Sequence, residues 1–330
     1  MKLPWSNRAP FKSIHMIAFG PIPSRRFGQS LGINHIPPKS CSYDCIYCQV
    51  GHTLSKSIQR DLFYDPGTIF EAVRAKVEQV RESGGHIDYL TFVPDGEPTL
   101  DINLGRTIDM LRELDLKIAV ISNASLLWHE AVRKELAKAD CVSLKIDAVT
   151  TDRWHRINRP NKSLSLEKML AGVLAFAEAF NGKLITDTML VEGVNNTPSE
   201  LRSTAQFLGK LHPSTAYIAL PTRPPLEPWV KAPEEKNLIE AYQIFSEYVE
   251  KVEILAGFAP EPFSAAGDVA QNLLDILCVH PMRESEVYDL FERGGLDLSV
   301  LQQLVTEAKI ARVLHAGQAF YVRKLEAPPA

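Results

Sequence analysis

Cys41-Ser42-Tyr43-Asp44-Cys45-Ile46-Tyr47-Cys48 sets three cysteines within eight residues, in the spacing C-x3-C-x2-C with an aromatic residue before the last. Three soft thiolates this close on one loop suit an iron–sulfur cluster, and a four-iron cluster with three protein ligands keeps one iron open for another molecule. A disulfide framework fits poorly, because five cysteines in 330 residues and no signal sequence point to a reducing compartment. A structural zinc site wants a fourth Cys or His, and His35 and His52 are close enough in sequence to be considered. Cys141 and Cys278 sit in apolar runs and read as buried hydrophobes.

Outward from this loop the chain reads as six strand-then-helix units. The strands are Leu31–Ile36, Asp88–Val93, Lys117–Ile121, Cys141–Ile146, Leu184–Val191 and Thr215–Leu220, each a short apolar run with β-branched residues. Pro66–Ser83 carries Ile69, Phe70, Val73, Val77 and Val80 on one helical face, with Asp65 as N-cap and Pro66 at the first position. Thr197-Pro198-Ser199-Glu200 is a capping box that starts a helix running to Leu211. Further helices are expected over Ile102–Leu114, Trp128–Lys138, Ser165–Phe180 and Pro233–Lys251. Six β/α repeats make a parallel sheet, which right-handed crossovers curl into a closed or an open barrel. Chemistry then gathers in the loops after the strands.

The residues in those loops carry a family resemblance. One unit after the cysteines stands Val93-Pro94-Asp95-Gly96-Glu97-Pro98, similar to a Gly-Gly-Glu-Pro motif with aspartate in place of the first glycine. Ser122-Asn123 follows the third strand and Ser143 lies in the fourth. Together with the cysteine spacing, these resemble the radical S-adenosylmethionine (SAM) superfamily. The resemblance implies an α/β fold, a partial (β/α)6 TIM-type barrel. It also implies a [4Fe–4S] cluster on Cys41, Cys45 and Cys48, the catalytic and metal-holding residues, with SAM on the open iron. SAM contacts are then expected from Tyr47, Asp95, Gly96, Glu97, Pro98, Ser122, Asn123 and Ser143. A glycine at a strand end lets a ligand approach the main chain, and hydroxyl and amide side chains suit ribose and carboxylate groups. The Ser-Leu-Asp pattern of the fourth strand is stretched here, with Asp147 two residues further on.

Charge is unevenly spread. Overall the chain carries net −4, yet residues 1–60 hold eight Lys or Arg against one acid, Asp44. Such a basic surround attracts an anionic substrate, a phosphate or RNA, or else balances the cluster's thiolates and the SAM carboxylate. Arginine suits bidentate contact with carboxylate or phosphate. Substrate-binding candidates are therefore Arg156 and Arg159 after the fourth strand, Arg223 in Pro221-Thr222-Arg223-Pro224-Pro225, and Arg25 and Arg26, expected near the barrel mouth. A hydrophobic content of 45% supports a large core. The interrupted N-terminus (Pro4, Arg8, Pro10, Lys12) and the absence of a long apolar stretch argue against a secretory signal or a membrane span, and so for a cytoplasmic protein.

The domain reading is an N-terminal extension (1–29), a barrel core (30–265) and a separate unit (266–330). In the last, short helices over Asn272–Val279, Glu284–Phe291 and Asp297–Lys309 precede a hairpin, Ala311–His315 and Gln318–Arg323, turning at Ala316-Gly317. This resembles a winged-helix domain. Six Lys or Arg against nine Asp or Glu speak against its tracking phosphates.

The resemblance implies that a reduced cluster, fed by an external one-electron donor, cleaves SAM to a 5′-deoxyadenosyl radical that abstracts a substrate hydrogen. Residues 21–51 and the Pro-Thr-Arg-Pro-Pro run resemble a branch similar to wyosine synthases, which modify a guanosine of tRNA. Wyosine synthases have further cysteines upstream of this motif, whereas no cysteine precedes Cys41 here. The leading expectation is a single-cluster radical SAM enzyme acting on an anionic substrate, with a tRNA base preferred. The alternatives are radical modification or activation of a partner protein, and a non-catalytic iron–sulfur sensor.

Overall fold

The computed structural model describes residues 16–53, 55–255, 268–315 and 317–324. The basic residues Lys2, Arg8 and Lys12, the domain boundary near 265 and Ala316 of the expected hairpin turn lie outside them.

A hairpin of β1 (Ala18–Ser24) and β2 (Gly28–Ile33) opens the sheet. Then follow α1 (Pro66–Glu82), β3 (Tyr89–Phe92), α2 (Leu104–Leu111), β4 (Lys117–Ser122), α3 (Glu130–Leu136) and β5 (Cys141–Lys145). Next come α4 (Thr151–Asn158), α5 (Leu166–Ala179), β6 (Lys183–Met189), α6 (Pro198–Gly209), β7 (Thr215–Ala219), α7 (Glu235–Ser246) and β8 (Val252–Leu255). The eight strands pair in sequence order, β1 antiparallel to β2 and all later pairs parallel. This is an open partial barrel of the expected kind, enlarged by two strands. β1 carries Pro21 and Pro23, which suit only an edge strand and hid it from pattern reading. β8 ends a segment whose helix stops at Ser246 rather than Lys251. α4 was also not anticipated, since only Trp154, Ile157 and Asn158 are buried along it.

Caps place the helices. The Asp65 carboxylate accepts from the Gly67 and Thr68 N–H groups, and the Thr197 hydroxyl from the Glu200 N–H, each with proline opening the helix. The main core lies between sheet and helices, with Leu31, Leu90, Val120, Val142, Leu144 and Ile218 pointing outward from their strands. The alternate residues Ala119, Cys141, Ile185 and Tyr217 point inward and meet Phe27. Phe27 sits in the β1–β2 turn, at the N-terminal ends of the parallel strands, and so floors the barrel.

The C-terminal unit comprises α8 (Val269–Val279), β9 (Met282–Arg283), α9 (Glu284–Arg293), α10 (Leu298–Thr306), β10 (Ile310–His315) and β11 (Gln318–Arg323). Its sheet runs β10-β11-β9, and β9 adds a strand to the expected hairpin. Phe19 and Ile22 of β1 join Leu273, Ile276 and Leu277 of α8 in one apolar cluster. Asp275 accepts from the Gly20 N–H (2.9 Å) and the Lys76 ammonium (3.0 Å). The unit thus covers the edge that β1 would otherwise expose. Among the described residues, no helix is long and apolar enough to cross a membrane.

Candidate functional site

The cysteine loop leaves β2 at the C-terminal end of the sheet and is held by main-chain bonds on every side. The Asp44 and Ile46 N–H groups donate to Asn158 and Ile157 carbonyls (both 3.0 Å), Ser57 N–H to Cys41 O (3.0 Å) and Asn161 N–H to Ser42 O (2.8 Å). α4, absent from the sequence-based expectation, is therefore what pins the middle of the loop.

Each thiol meets a nitrogen donor from a different element. The Asn123 amide donates to Cys41 Sγ (3.6 Å), the Asn158 amide to Cys45 Sγ (3.5 Å) and the Lys39 ammonium to Cys48 Sγ (3.6 Å). The Tyr43 N–H also points at Cys41 Sγ (3.5 Å). Burial pushes the Cys41 thiol up to about 12, and burial together with the Asp147 carboxylate pushes Cys45 above the ordinary thiol range. Thiolates in such a place need a metal's positive charge beside them. Among the described residues, no three His, Cys, Asp or Glu side chains converge as ligands of a single metal ion. The fit to a cluster rests on donor chemistry: three soft sulfurs on one loop, each with an N–H aimed at it.

Glu97 is the second organising residue. Its buried carboxylate accepts from Thr99 N–H (3.1 Å), Thr99 Oγ1 (2.6 Å), Ser122 Oγ (2.7 Å) and Asn123 N–H (2.7 Å). Burial raises its pKa even against these bonds. Ser122 and Asn123, expected to contact a ligand, are thus bound to Glu97, and Asn123 reaches from there to Cys41 and to Ser42 Oγ (3.1 Å). Pro98 opens a short 3-10 turn, and its carbonyl lies 3.3 Å from His35 Nε2.

Gly96 is needed where two stretches of main chain meet. A Cβ there would stand 2.1 Å from the Ser40 carbonyl oxygen, which accepts the Glu97 N–H at 2.9 Å. The Asp95 side chain is engaged by protein groups. Its side chain accepts from Asn34 Nδ2 (3.0 Å) and pairs with Arg323 of β11, 228 residues away, while its carbonyl takes the Lys39 N–H (2.8 Å).

Inside the barrel lie groups that pattern reading passed over. Lys145 Nζ meets Asp187 Oδ1 (3.0 Å), Arg26 Nη1 meets Asp187 Oδ2 (2.7 Å), and Lys145 Nζ sits 5.3 Å from the Tyr47 ring centre. Burial works against both charges, but the pairing wins: it holds the Lys145 ammonium above and the Asp187 carboxyl below their usual ranges. The Tyr47 hydroxyl donates to Asp147, which also accepts from Asn158 Nδ2 (2.7 Å) and Met189 N–H (2.8 Å). Asp147 therefore holds the loop through Tyr47 and Asn158. Ser143 shares the inner face with Cys141 and Lys145, and among the described residues its buried hydroxyl has no hydrogen-bond partner. An orphaned hydroxyl on the inner wall suits a bound molecule.

The arginine candidates separate. Arg26 enters from the barrel floor, not the mouth, because the β1–β2 turn lies at the strands' N-terminal ends; Arg25 beside it is exposed. Arg156 is exposed on α4, and Arg159 pairs with Glu227 (2.5 Å). Arg223 lies in the loop after β7, toward the C-terminal unit, and burial brings its guanidinium down to about 10. Among the described residues up to 60, the basic excess is not one patch. Lys39 serves Cys48, and Arg60 is spent on Glu135 and on the Thr99 (2.9 Å) and Asp101 (2.7 Å) carbonyls.

Comparison with known proteins follows the same lines. The family model described as the radical SAM superfamily matches residues 36–208. A UPF0026 protein of Methanocaldococcus jannaschii is 42% identical over 312 residues, 94% of this chain and 97% of that protein. A probable dual-specificity RNA methyltransferase of Streptococcus agalactiae is 24% identical over 208 residues, 61% of this chain and 56% of its own. In fold, the chain is similar to a radical SAM methyltransferase from Sphaerobacter thermophilus: TM-score 0.50, 14% identity, covering 68% of this chain and 66% of that one.

Proposed function

The chain belongs to the radical SAM superfamily, and from that premise we propose that it reductively cleaves SAM at a single site-differentiated cluster to modify an anionic substrate, a tRNA base. As a member it is an enzyme that uses a [4Fe–4S] cluster and SAM. Bound here, the two supply one-electron cleavage of the sulfonium and a 5′-deoxyadenosyl radical able to take hydrogen from a substrate.

The observation that carries the reading is the convergence of Asn123, Asn158 and Lys39 on the three cysteine sulfurs. Cys41, Cys45 and Cys48 would hold the cluster. The three nitrogens orient the sulfurs and draw off charge, which eases reduction. Glu97 fixes Asn123, and Asp147 fixes Asn158 and Tyr47, so two buried carboxylates set the loop's shape. Ser143 offers a free hydroxyl to the bound cofactor or substrate. The tRNA reading draws support from the similarity to an RNA methyltransferase and from Arg223 beside the mouth. The C-terminal unit serves in this reading as a winged-helix-like module, with residues 30–265 as the catalytic core.

Anaerobic reconstitution with dithionite and SAM should yield 5′-deoxyadenosine, and Cys45→Ala should yield none. Mass spectrometry of RNA nucleosides from cells with and without the protein should show one modified nucleoside lost. An unchanged profile overturns the tRNA assignment, and an intact cluster that cleaves no SAM overturns the chemistry.

A further inference from the structure

From floor to mouth, the inner face of β5 presents Cys141, Ser143 and Lys145, and the fold leaves donors of the last two unused. Cys141 packs with Phe27 at the floor. Ser143 stands in register between Ile121 of β4 and Ile185 of β6, both apolar, and among the described residues its hydroxyl has no partner. Lys145 stands in register with Asp187 of β6 and meets its carboxylate at 3.0 Å. An ammonium carries three donors. Among the described residues Asp187 is the one hydrogen-bond acceptor that Lys145 meets, so the other donors remain to be filled.

The space in front of these groups is open on the side of the cysteine loop. The Lys145 and Arg26 side chains each keep 23% exposure although they lie inside the barrel, and Ile121 and the three loop cysteines are also only partly buried. Lys145 Nζ is 5.3 Å from the ring centre of Tyr47, which directly precedes Cys48. Arg26 takes the other oxygen of Asp187 (2.7 Å), so the carboxylate that holds Lys145 is itself held. A hydroxyl closed off from water without a partner destabilises a fold, and at the edge of such a space it points to an acceptor that the protein does not supply.

Charge decides what kind of acceptor. Arg26 and Lys145 are set against two carboxylates, Asp187 and Asp147, the second of which acts on Lys145 through space while bonding to Tyr47 and Asn158. Two cations against two anions leave no surplus to draw in a phosphate. An ammonium and a hydroxyl with donors to spare suit neutral acceptors instead. The carbonyl-bearing edge of a nucleobase offers them, guanine at O6 and N7 and uracil at O4, whereas adenine and cytosine place an amino group where that oxygen would be.

We infer that Ser143 and Lys145 are substrate-binding residues, which donate hydrogen bonds to the carbonyl edge of a guanine or uracil base seated in the barrel beside the cysteine loop. The inference rests on the tRNA-base reading above and adds the residues that recognise the base and the edge they read.

The test uses the full-length, cluster-reconstituted protein under anaerobic conditions, with tRNA from cells lacking the protein. Ser143→Ala and Lys145→Met should lower kcat/KM for nucleoside modification about tenfold and about thirtyfold, while the Kd for SAM and the 5′-deoxyadenosine formed without tRNA stay within about twofold of wild type. Ser143→Ala removes a hydroxyl that bonds to nothing in the fold, so its melting temperature should hold or rise; it serves if Lys145→Met does not fold. Weaker SAM binding in either variant assigns the residue to SAM and overturns the inference, as does an unchanged kcat/KM. A second measurement needs no turnover. In equilibrium dialysis, wild-type protein should bind guanosine or uridine about tenfold more tightly than adenosine or cytidine, and Lys145→Met should erase the preference. Equal binding of the four nucleosides, or of none, overturns the inference. If wild-type protein leaves tRNA unmodified yet shows the preference, the proposed function falls and the base-recognition site stands.

Discussion

Asp95→Ala tests whether the C-terminal unit is locked to the barrel at the motif itself. The Asp95 side chain is 4% exposed and that of Arg323 18%. Removing one member of a buried pair costs about 3–5 kcal/mol, mostly from the charge left behind. Arg323 keeps some solvent and the Cys278 sulfur, so the lower end applies: about 3 kcal/mol for Asp95→Ala, including the loss to Asn34. Arg323→Ala leaves Asp95 bonded to Asn34 and should cost about 2 kcal/mol. The double variant should be little worse than Asp95→Ala alone, a coupling of about 2 kcal/mol, whereas independent sites add within about 0.5. Urea unfolding followed by far-UV circular dichroism gives all four stabilities. Additive losses would show that the pair does not join the two units and would refute the reasoning.

Three further outcomes follow from the site's surroundings. His35 is fully buried and held down to about 4, so it is neutral in the fold while the unfolded chain protonates near 6.5. The unfolded state binds the extra proton, so stability falls as pH drops from 6.5 to 4, by roughly 3 kcal/mol in total; His35→Phe should flatten a urea-midpoint profile over that window. Gly96→Ala drives a Cβ into the Ser40 carbonyl and should prevent cluster assembly or cost several kcal/mol, read from the visible absorbance after reconstitution and from thermal melting. Asn158→Leu removes the donors to Cys45 and Asp147 and should move the cluster potential to more negative values in an EPR-monitored titration, with an unchanged potential counting against its role.

Much of the barrel was legible because buried parallel strands read as apolar runs and their helices announce themselves by caps, as at Asp65-Pro66 and Thr197-Pro198. The strands that escaped, β1 with its two prolines and the short β8 and β9, have patterns too weak or too brief to stand out. α4 escaped because half its residues face solvent, yet its end supplies Asn158 to Cys45.

The sequence by itself determined the cysteine spacing and the order of β/α units, because spacing on one loop and periodicity in one element are local properties. The motif resemblance carried by Glu97, Ser122 and Asn123 implied contacts to one ligand from the loops after successive strands. Only the tertiary structure decided what those residues touch. Asp95 turns to Arg323, Gly96 makes room for Ser40, and Lys145 and Arg26 share Asp187. Such partners lie from tens to more than two hundred residues apart. Their pairing is set by the curl of the sheet and the seating of the C-terminal unit on β1, which no local pattern encodes.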